Sequence, residues 1–206
     1  MTENENAAAN QMDLSPRERI VRAARQLFFS HGFGAVTTDM LAREASTSKA
    51  TIYKYFDSKT DILSAVVDLE GGRFRVDAGQ MPTDRKGYKT ALRSFGLGLI
   101  DLLADPDVLS FEQLMISEAR THPEGAATFH SRALMRTLNE LERIISFGQE
   151  RGFIEDRYSS IDLADMLISS WRGMTHACLQ LGLANKPYPD REERVDRCIS
   201  IIAGLD

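Results

Sequence analysis

Between Ser48 and Phe56 the chain carries Lys49, Thr51, Tyr53, Lys54 and Tyr55, with the small Ala50 among them. All five polar side chains can donate hydrogen bonds. A helix that enters a nucleic-acid groove needs small residues at its start and donors behind them. The pattern therefore suits contact with phosphate oxygens and base edges. Thr51 and Lys54 are the better candidates for base edges, and the Ala50 methyl could touch a thymine methyl. An ordinary solvated lysine face over a core of aromatics would use the same residue types, and Phe56 is expected to be core.

Such a helix has to be held in place by others. Ser15-Pro16 supplies an N-cap and a first-turn proline. They open a helix with Ile20, Val21, Ala24, Leu27 and Phe28 at helical spacing, and Gly32 is placed to stop it. Thr37 or Thr38 can cap a short second helix carrying Met40, Leu41 and Ala45, and can set its N-terminus on a phosphate. Ser46-Thr47-Ser48 makes a turn and Ser48 caps a third short helix. A fourth follows with Ile62, Leu63, Val66 and Val67 on one face. These are the proportions of a helix-turn-helix. Gly71-Gly72 and the 79–82 stretch disturb or end the fourth helix. Further helices are expected at roughly 84–103, 107–121, 124–151, 160–183 and 189–204, and nowhere is there sustained period-2 alternation. The expected fold class is all-α with about nine helices. Its expected parts are a flexible tail at 1–14, a helix-turn-helix DNA-binding domain at 15–58, and a helical body at 59–206.

Residues 20–67, IVRAARQLFFSHGFGAVTTDMLAREASTSKATIYKYFDSKTDILSAVV, resemble the TetR family. They follow its pattern of AA-x-x-LF-x-x-x-GF, then T-x-x-x-LA-x-x-A, then SK-x-T-[IL]-Y-x-[YH]-F and SK-x-x-[IL]-L. The resemblance implies DNA contacts from Thr37, Thr38, Ser48, Lys49, Ala50, Thr51, Tyr53, Lys54, Tyr55 and Lys59, and a buried Phe56. Ser46 and Ala50 stand where the family commonly has glycine. Ser46 is strained if its turn needs a positive φ. The C-terminal two-thirds, with FEQLMISEARTHPE and a long helix after it, faintly resembles the AefR-type subgroup.

Charge is unevenly placed in this chain of 206 residues and net charge −5. From residue 13 to 59, eight Lys/Arg face five Asp/Glu, so that segment is +3 and the remainder −8. A basic head on an acidic body suits a protein that meets phosphate at one end only. Cys178 and Cys198 are too few for a disulfide framework and are expected as reduced thiols. The start resembles no signal peptide and no stretch is long and apolar enough to span a membrane, so a cytoplasmic protein without membrane contact is expected. The four histidines lack metal-ligand spacing, and no phosphate-binding loop or nucleophile motif is present. No enzyme activity, metal or cofactor is expected.

The body can be tested for how many sides of a helix it buries. Advancing ~100° per residue from Leu163, Leu167, Trp171, Met174, Cys178 and Leu181 share one arc with it. Ala164, Ile168, Thr175 and Leu179 lie beside them, while Met166, Ser170, Gly173 and Ala177 form a third, small-residue arc. Asp162, Asp165, Ser169, Arg172, His176 and Gln180 take the polar remainder. The apolar-or-small arc spans roughly 220°, against ~100° for a helix buried on one face. A second subunit is the economical cover. The resemblance places a dimer interface on the last two helices, here through Ile168, Gly173, Ala177, Leu179, Val195, Ile199 and Ile202. It also implies a small-molecule pocket in the body, for which Phe95, Leu99, Phe111, Met115, Glu118, Phe129, Met135, Leu138 and Trp171 are the candidates. Any single one of them could instead be plain core.

The expected function is a homodimeric repressor released from a palindromic double-stranded DNA operator by a small, largely apolar effector. The effector is expected to act through helix 59–78, taken as the only covalent link to the DNA head, with Gly71-Gly72 either kinking that helix or ending it. An activator or global regulator of the same fold is the alternative within regulators. A helical small-molecule-binding protein without specific DNA binding is the alternative outside them.

Overall fold

A computed structural model describes residues 14–73, 82–184 and 187–205 of the chain. Ser15 caps the first helix as its sequence predicts. Its hydroxyl accepts from the Glu18 N–H while the Glu18 carboxylate accepts from the Ser15 N–H, which closes a capping box ahead of Pro16. That helix, α1, runs Pro16–Ala35. Its backbone leaves the helical path at Gly32, where φ is 82°. An L side chain rarely adopts that φ, so glycine at the expected stop position is a backbone requirement. α2 spans Thr38–Glu44 and α3 Lys49–Tyr55, capped by the hydroxyls of Thr37 and Ser48. α4 spans Lys59–Arg73.

α5 covers Arg85–Ala104 and α6 Pro106–Glu118. α7 is one continuous helical stretch made of Pro123–Phe129, a π-helical turn His130–Leu134, and Met135–Glu150. α8 covers Ser160–Gln180 and α9 Arg191–Ala203. The described residues thus form nine helices and no strand, which is the expected fold class. None of these helices is long and apolar enough to cross a membrane.

The chain divides into two compact units. The first comprises residues 1–70 and 110–132, the second residues 71–109 and 133–206. The first unit is therefore larger than the expected DNA-binding segment 15–58, because the end of α6 and the start of α7 belong to it. In it α1 packs on α2 and α3, burying Ile20, Ala24, Phe28, Leu41, Ile52 and Phe56. In the second unit α8 packs on α5, the later part of α7, and α9 around Leu92, Phe95, Ile100, Leu141, Leu167 and Trp171. The chain passes from one unit to the other inside α4, α6 and α7. Between these two units α4 is therefore one of three covalent crossings, and no composition change at Ser110 or Arg132 marks the other two. α4 continues through Gly71 and Gly72 without ending. Residues 74–78 of the expected helix, the Gly79 break up to residue 81, and the expected tail before Leu14 lie outside the described residues.

α8 holds the main local departure from the sequence reading. Gly173 takes φ 51° and ψ −165°, which interrupts the helix. Before it, Leu163, Ala164, Leu167 and Trp171 are buried, as the wheel predicts. After it the phase slips. His176, placed by the wheel on the polar face, is buried and its Nδ1 lies 3.1 Å from the Tyr188 hydroxyl. Met174 and Leu181, placed by the wheel with the buried arc, are 78% and 71% exposed. A wheel assumes one unbroken helix, and a single glycine outside helical φ/ψ rotates everything beyond it.

Candidate nucleic-acid interface

The turn between α2 and α3 is built from its own backbone. The Ser46 N–H donates to the Arg43 carbonyl at 3.2 Å and the Thr47 N–H to the Ala42 carbonyl at 2.9 Å. Ser46 adopts φ 48°, the left-handed conformation that glycine takes freely and serine only at some cost. The Ser48 hydroxyl then accepts from the Thr51 N–H at 3.1 Å, which starts α3. Ile52 and Phe56 anchor α3 in the first unit's core, and the Arg17 guanidinium lies over the Phe56 ring at 5.2 Å. With one side fixed, the other must face outward.

That outward face carries the expected donors. Ser48, Lys49, Ala50, Tyr53, Lys54 and Tyr55 are exposed, and Thr51 is half-buried with its hydroxyl 2.9 Å from that of Ser48. Tyr53 is 59% exposed, and its hydroxyl lies 3.4 Å from the Thr38 hydroxyl. This brings the start of α2 to the middle of α3. Thr37 is exposed beside it and spends its side chain on the Met40 N–H. Nine of the ten expected residues thus lie on α2, α3 or their N-caps with exposed or half-buried side chains.

Lys59 is the exception. Its ammonium donates to the carbonyls of Phe33 at 2.8 Å, Gly34 at 3.3 Å and Val36 at 3.2 Å. It also sits 4.4 Å from the centre of the Phe33 ring. A cation on the last carbonyls of a helix is a cap for α1. Burial pushes the Lys59 pKa down, against the upward pull of Glu124 and Glu118. The spacing of the motif could not distinguish this role from phosphate contact, because both use an ammonium at the start of α4.

Asp39 is the residue that sequence reasoning missed. Its carboxylate pairs with the Lys49 ammonium at 2.8 Å, and this hydrogen bond and charge raise the Lys49 pKa. Both groups are exposed. A phosphate reaching Lys49 must compete with this carboxylate. Asp39→Asn is expected to strengthen binding to duplex DNA by roughly two- to fivefold at low salt, the gain shrinking as salt rises. Filter binding at several salt concentrations checks this, and weaker binding by the variant would instead make Asp39 a base-reading group.

The expected ligand residues divide between the units. Phe111, Met115, Glu118 and Phe129 belong to the first. There Phe111 stacks on Phe29 at 4.4 Å and 5°, and meets Phe129 edge-on at 5.8 Å. The Glu118 carboxylate is taken up by the Phe33 and Gly34 N–H groups. Phe95, Leu99, Met135, Leu138 and Trp171 belong to the second unit. Trp171 is fully buried 6.3 Å from Phe95, and its indole Nε1 has no hydrogen-bond partner among the described residues.

Of the expected dimer residues, Leu179, Val195 and Ile199 are buried in the second unit's own core, so no partner is needed to cover them. Ile168 and Ile202 are half-buried against that core, and Gly173 and Ala177 are half-buried. The exposed apolar side chains of this region are instead Ile161, Met166, Met174, Leu181 and Leu183, with Ile201 on α9.

Comparison with known proteins accords with this geometry. Residues 20–66 match the family described as bacterial regulatory proteins, tetR family. Residues 90–203 match the C-terminal domain of AefR-like transcriptional repressors. The HTH-type transcriptional regulator SrpR of Pseudomonas putida is 22% identical over 173 residues, covering 82% of this chain and 76% of that protein. EthR of Mycolicibacterium smegmatis is 27% identical over 159 residues, covering 72% of this chain and 67% of that protein. Among solved structures, the flavonoid-responsive regulator FrrA superposes with a TM-score of 0.74 at 24% identity, covering 91% of this chain and 94% of that one. With its N-terminal and C-terminal parts both matched, and with a helix-turn-helix that exposes its donors, the chain belongs to the TetR family of DNA-binding transcriptional regulators.

Proposed function

We propose that the protein is a homodimeric repressor that leaves a palindromic operator when a small, largely apolar effector occupies its helical body, and that it acts in the cytoplasm. The observation that carries this reading is the exposed row Lys49, Tyr53 and Lys54 on α3, joined at Tyr53 and Thr38 to the start of α2. Lys49, Tyr53 and Lys54 donate to phosphate, Thr51 and Lys54 reach base edges, and Thr37 and Thr38 position the N-terminus of α2. The dimer reading is supported by the exposed Met174, Leu181, Leu183 and Ile201. A large exposed apolar group beside its neighbours suggests a covered surface. The effector reading is supported by the apolar surroundings of Trp171, whose buried N–H could take an acceptor from a ligand. A protein of the same fold is named as a flavonoid-responsive regulator, which supports an effector-responsive reading of this chain.

The test begins with selection of bound duplex from a random pool. Lys49→Ala and Lys54→Ala are then expected to bind the selected duplex at least tenfold more weakly while remaining folded. Each lost phosphate contact makes the plot of log K against log salt shallower by about 1. Unchanged affinity and slope in both variants would remove α3 from the interface.

A further inference from the structure

The last turn of α1 is held from two sides by opposite charges. On one side the Glu118 carboxylate, at the end of α6, accepts from the Phe33 N–H at 2.8 Å and the Gly34 N–H at 3.1 Å, both through Oε2. On the other, the Lys59 ammonium takes the carbonyls of Phe33, Gly34 and Val36. The fit is close. A Cβ on Gly32 would strike the Glu118 carboxylate, and one on Gly34 would strike the His122 ring. Phe33 is fully buried, with Phe28 at 5.6 Å and His122 edge-on at 6.1 Å. Only Ala35 and Val36 separate this turn from Thr37, the cap of α2. The direction in which the chain leaves the turn therefore sets where α2 starts, and with it where α3 lies.

α6 meets α1 at a second point, Phe111 on Phe29, seven residues before Glu118. Two helical turns, ~11 Å, separate the two contacts. The Arg25 guanidinium lies 4.5 Å over the other partner of that stack, Phe29, and pairs with Glu70 of α4 at 2.6 Å. Stacked rings tolerate sliding, because dispersion has little directionality. A carboxylate on two backbone N–H groups does not, since hydrogen bonds to a charged acceptor weaken steeply with angle and distance. Of the two contacts, Glu118 is the one that fixes register.

We propose that Glu118 is a positioning residue for DNA binding: seated on the Phe33 and Gly34 N–H groups, it holds the α1–α2 turn in the arrangement that lets α2 and α3 engage DNA. α6 begins in the second unit and ends in the first. Any rearrangement there that draws α6 along its axis unseats Glu118. The inference rests on the DNA-binding reading and adds to it the group through which α6 controls the head.

Titration of the duplex selected by the wild-type chain tests it, with hydrogen exchange at the Phe33 and Gly34 amides measured alongside. Glu118→Ala is expected to lose at least tenfold in affinity at an unchanged salt slope, because fewer molecules are competent while each competent one makes the same phosphate contacts. Both amides should exchange faster. Glu118→Gln keeps a carbonyl oxygen for the two N–H groups and is expected to recover most of the affinity. If Glu118→Ala does not fold, Glu118→Asp, one methylene short, is expected to bind with intermediate affinity. Wild-type affinity in the Ala variant with fast-exchanging amides would make the clamp merely structural and overturn the proposal, as would a shallower salt slope or an equal loss in the Gln variant. Failure of the wild-type chain to select any duplex would instead overturn the DNA-binding reading, and Lys54→Ala serves as the control that separates the two.

Discussion

Leu179→Glu is expected to unfold the second unit, whereas Met174→Glu and Leu181→Glu are expected to leave it folded and to yield monomers. Leu179 is buried among Trp171, Val195 and Ile199 in the protomer's own core. Replacing it removes a buried leucine, worth about 2–5 kcal/mol, and adds an unpaired carboxylate costing several kcal/mol more. That total rivals the ~5–15 kcal/mol that holds a typical domain together. Met174 and Leu181 are mostly exposed, so a carboxylate there stays solvated in the protomer. In a two-fold dimer both subunits present the same patch, so one substitution introduces two charges into one apolar surface. Sedimentation at micromolar concentration with circular dichroism separates the outcomes. A dimeric Met174→Glu, Leu181→Glu double variant would move the interface elsewhere, and a folded Leu179→Glu would contradict the burial of α8.

The head was legible in the sequence because its local signals agree with one another. Ser15, Thr37 and Ser48 each cap the helix that follows, Gly32 breaks where expected, and Ile52 and Phe56 point inward while the donors point out. Each of these depends on residues within a few positions, which is the range over which caps and periodicity act. What the sequence hid depends on partners far along the chain. Glu118 stands 84 residues from Gly34, and nothing near it marks the carboxylate as a clamp. Lys59 meets carbonyls 23 to 26 residues away. The same holds for the unit boundary inside α6, which falls between Leu109 and Ser110 with no punctuation. The π turn His130–Leu134 lies in a run with no proline or glycine to announce it.

Gly173 is where a single residue changes the reading of a whole helix. Gly173→Ala is expected to destabilise the second unit by on the order of 3 kcal/mol, from backbone strain and lost packing together. Its φ of 51° with ψ −165° lies in a region that side chains other than glycine's scarcely enter. An added Cβ would also sit 2.6 Å from the Arg194 guanidinium. That guanidinium is not free to move away, since it donates to the Thr175 hydroxyl at 2.9 Å and lies over the Tyr188 ring at 5.9 Å. Straightening the helix offers no escape. An unbroken α8 would turn Met174 and Leu181 toward the core and carry His176 out of it, leaving the Tyr188 hydroxyl without its imidazole partner. Denaturant titration gives the magnitude, and near-ultraviolet circular dichroism of Trp171, two residues before the break, reports whether the core around it is retained. A loss below about 0.5 kcal/mol, the range usual for surface positions, would show that α8 accepts a continuous helix and that its second half can be repacked.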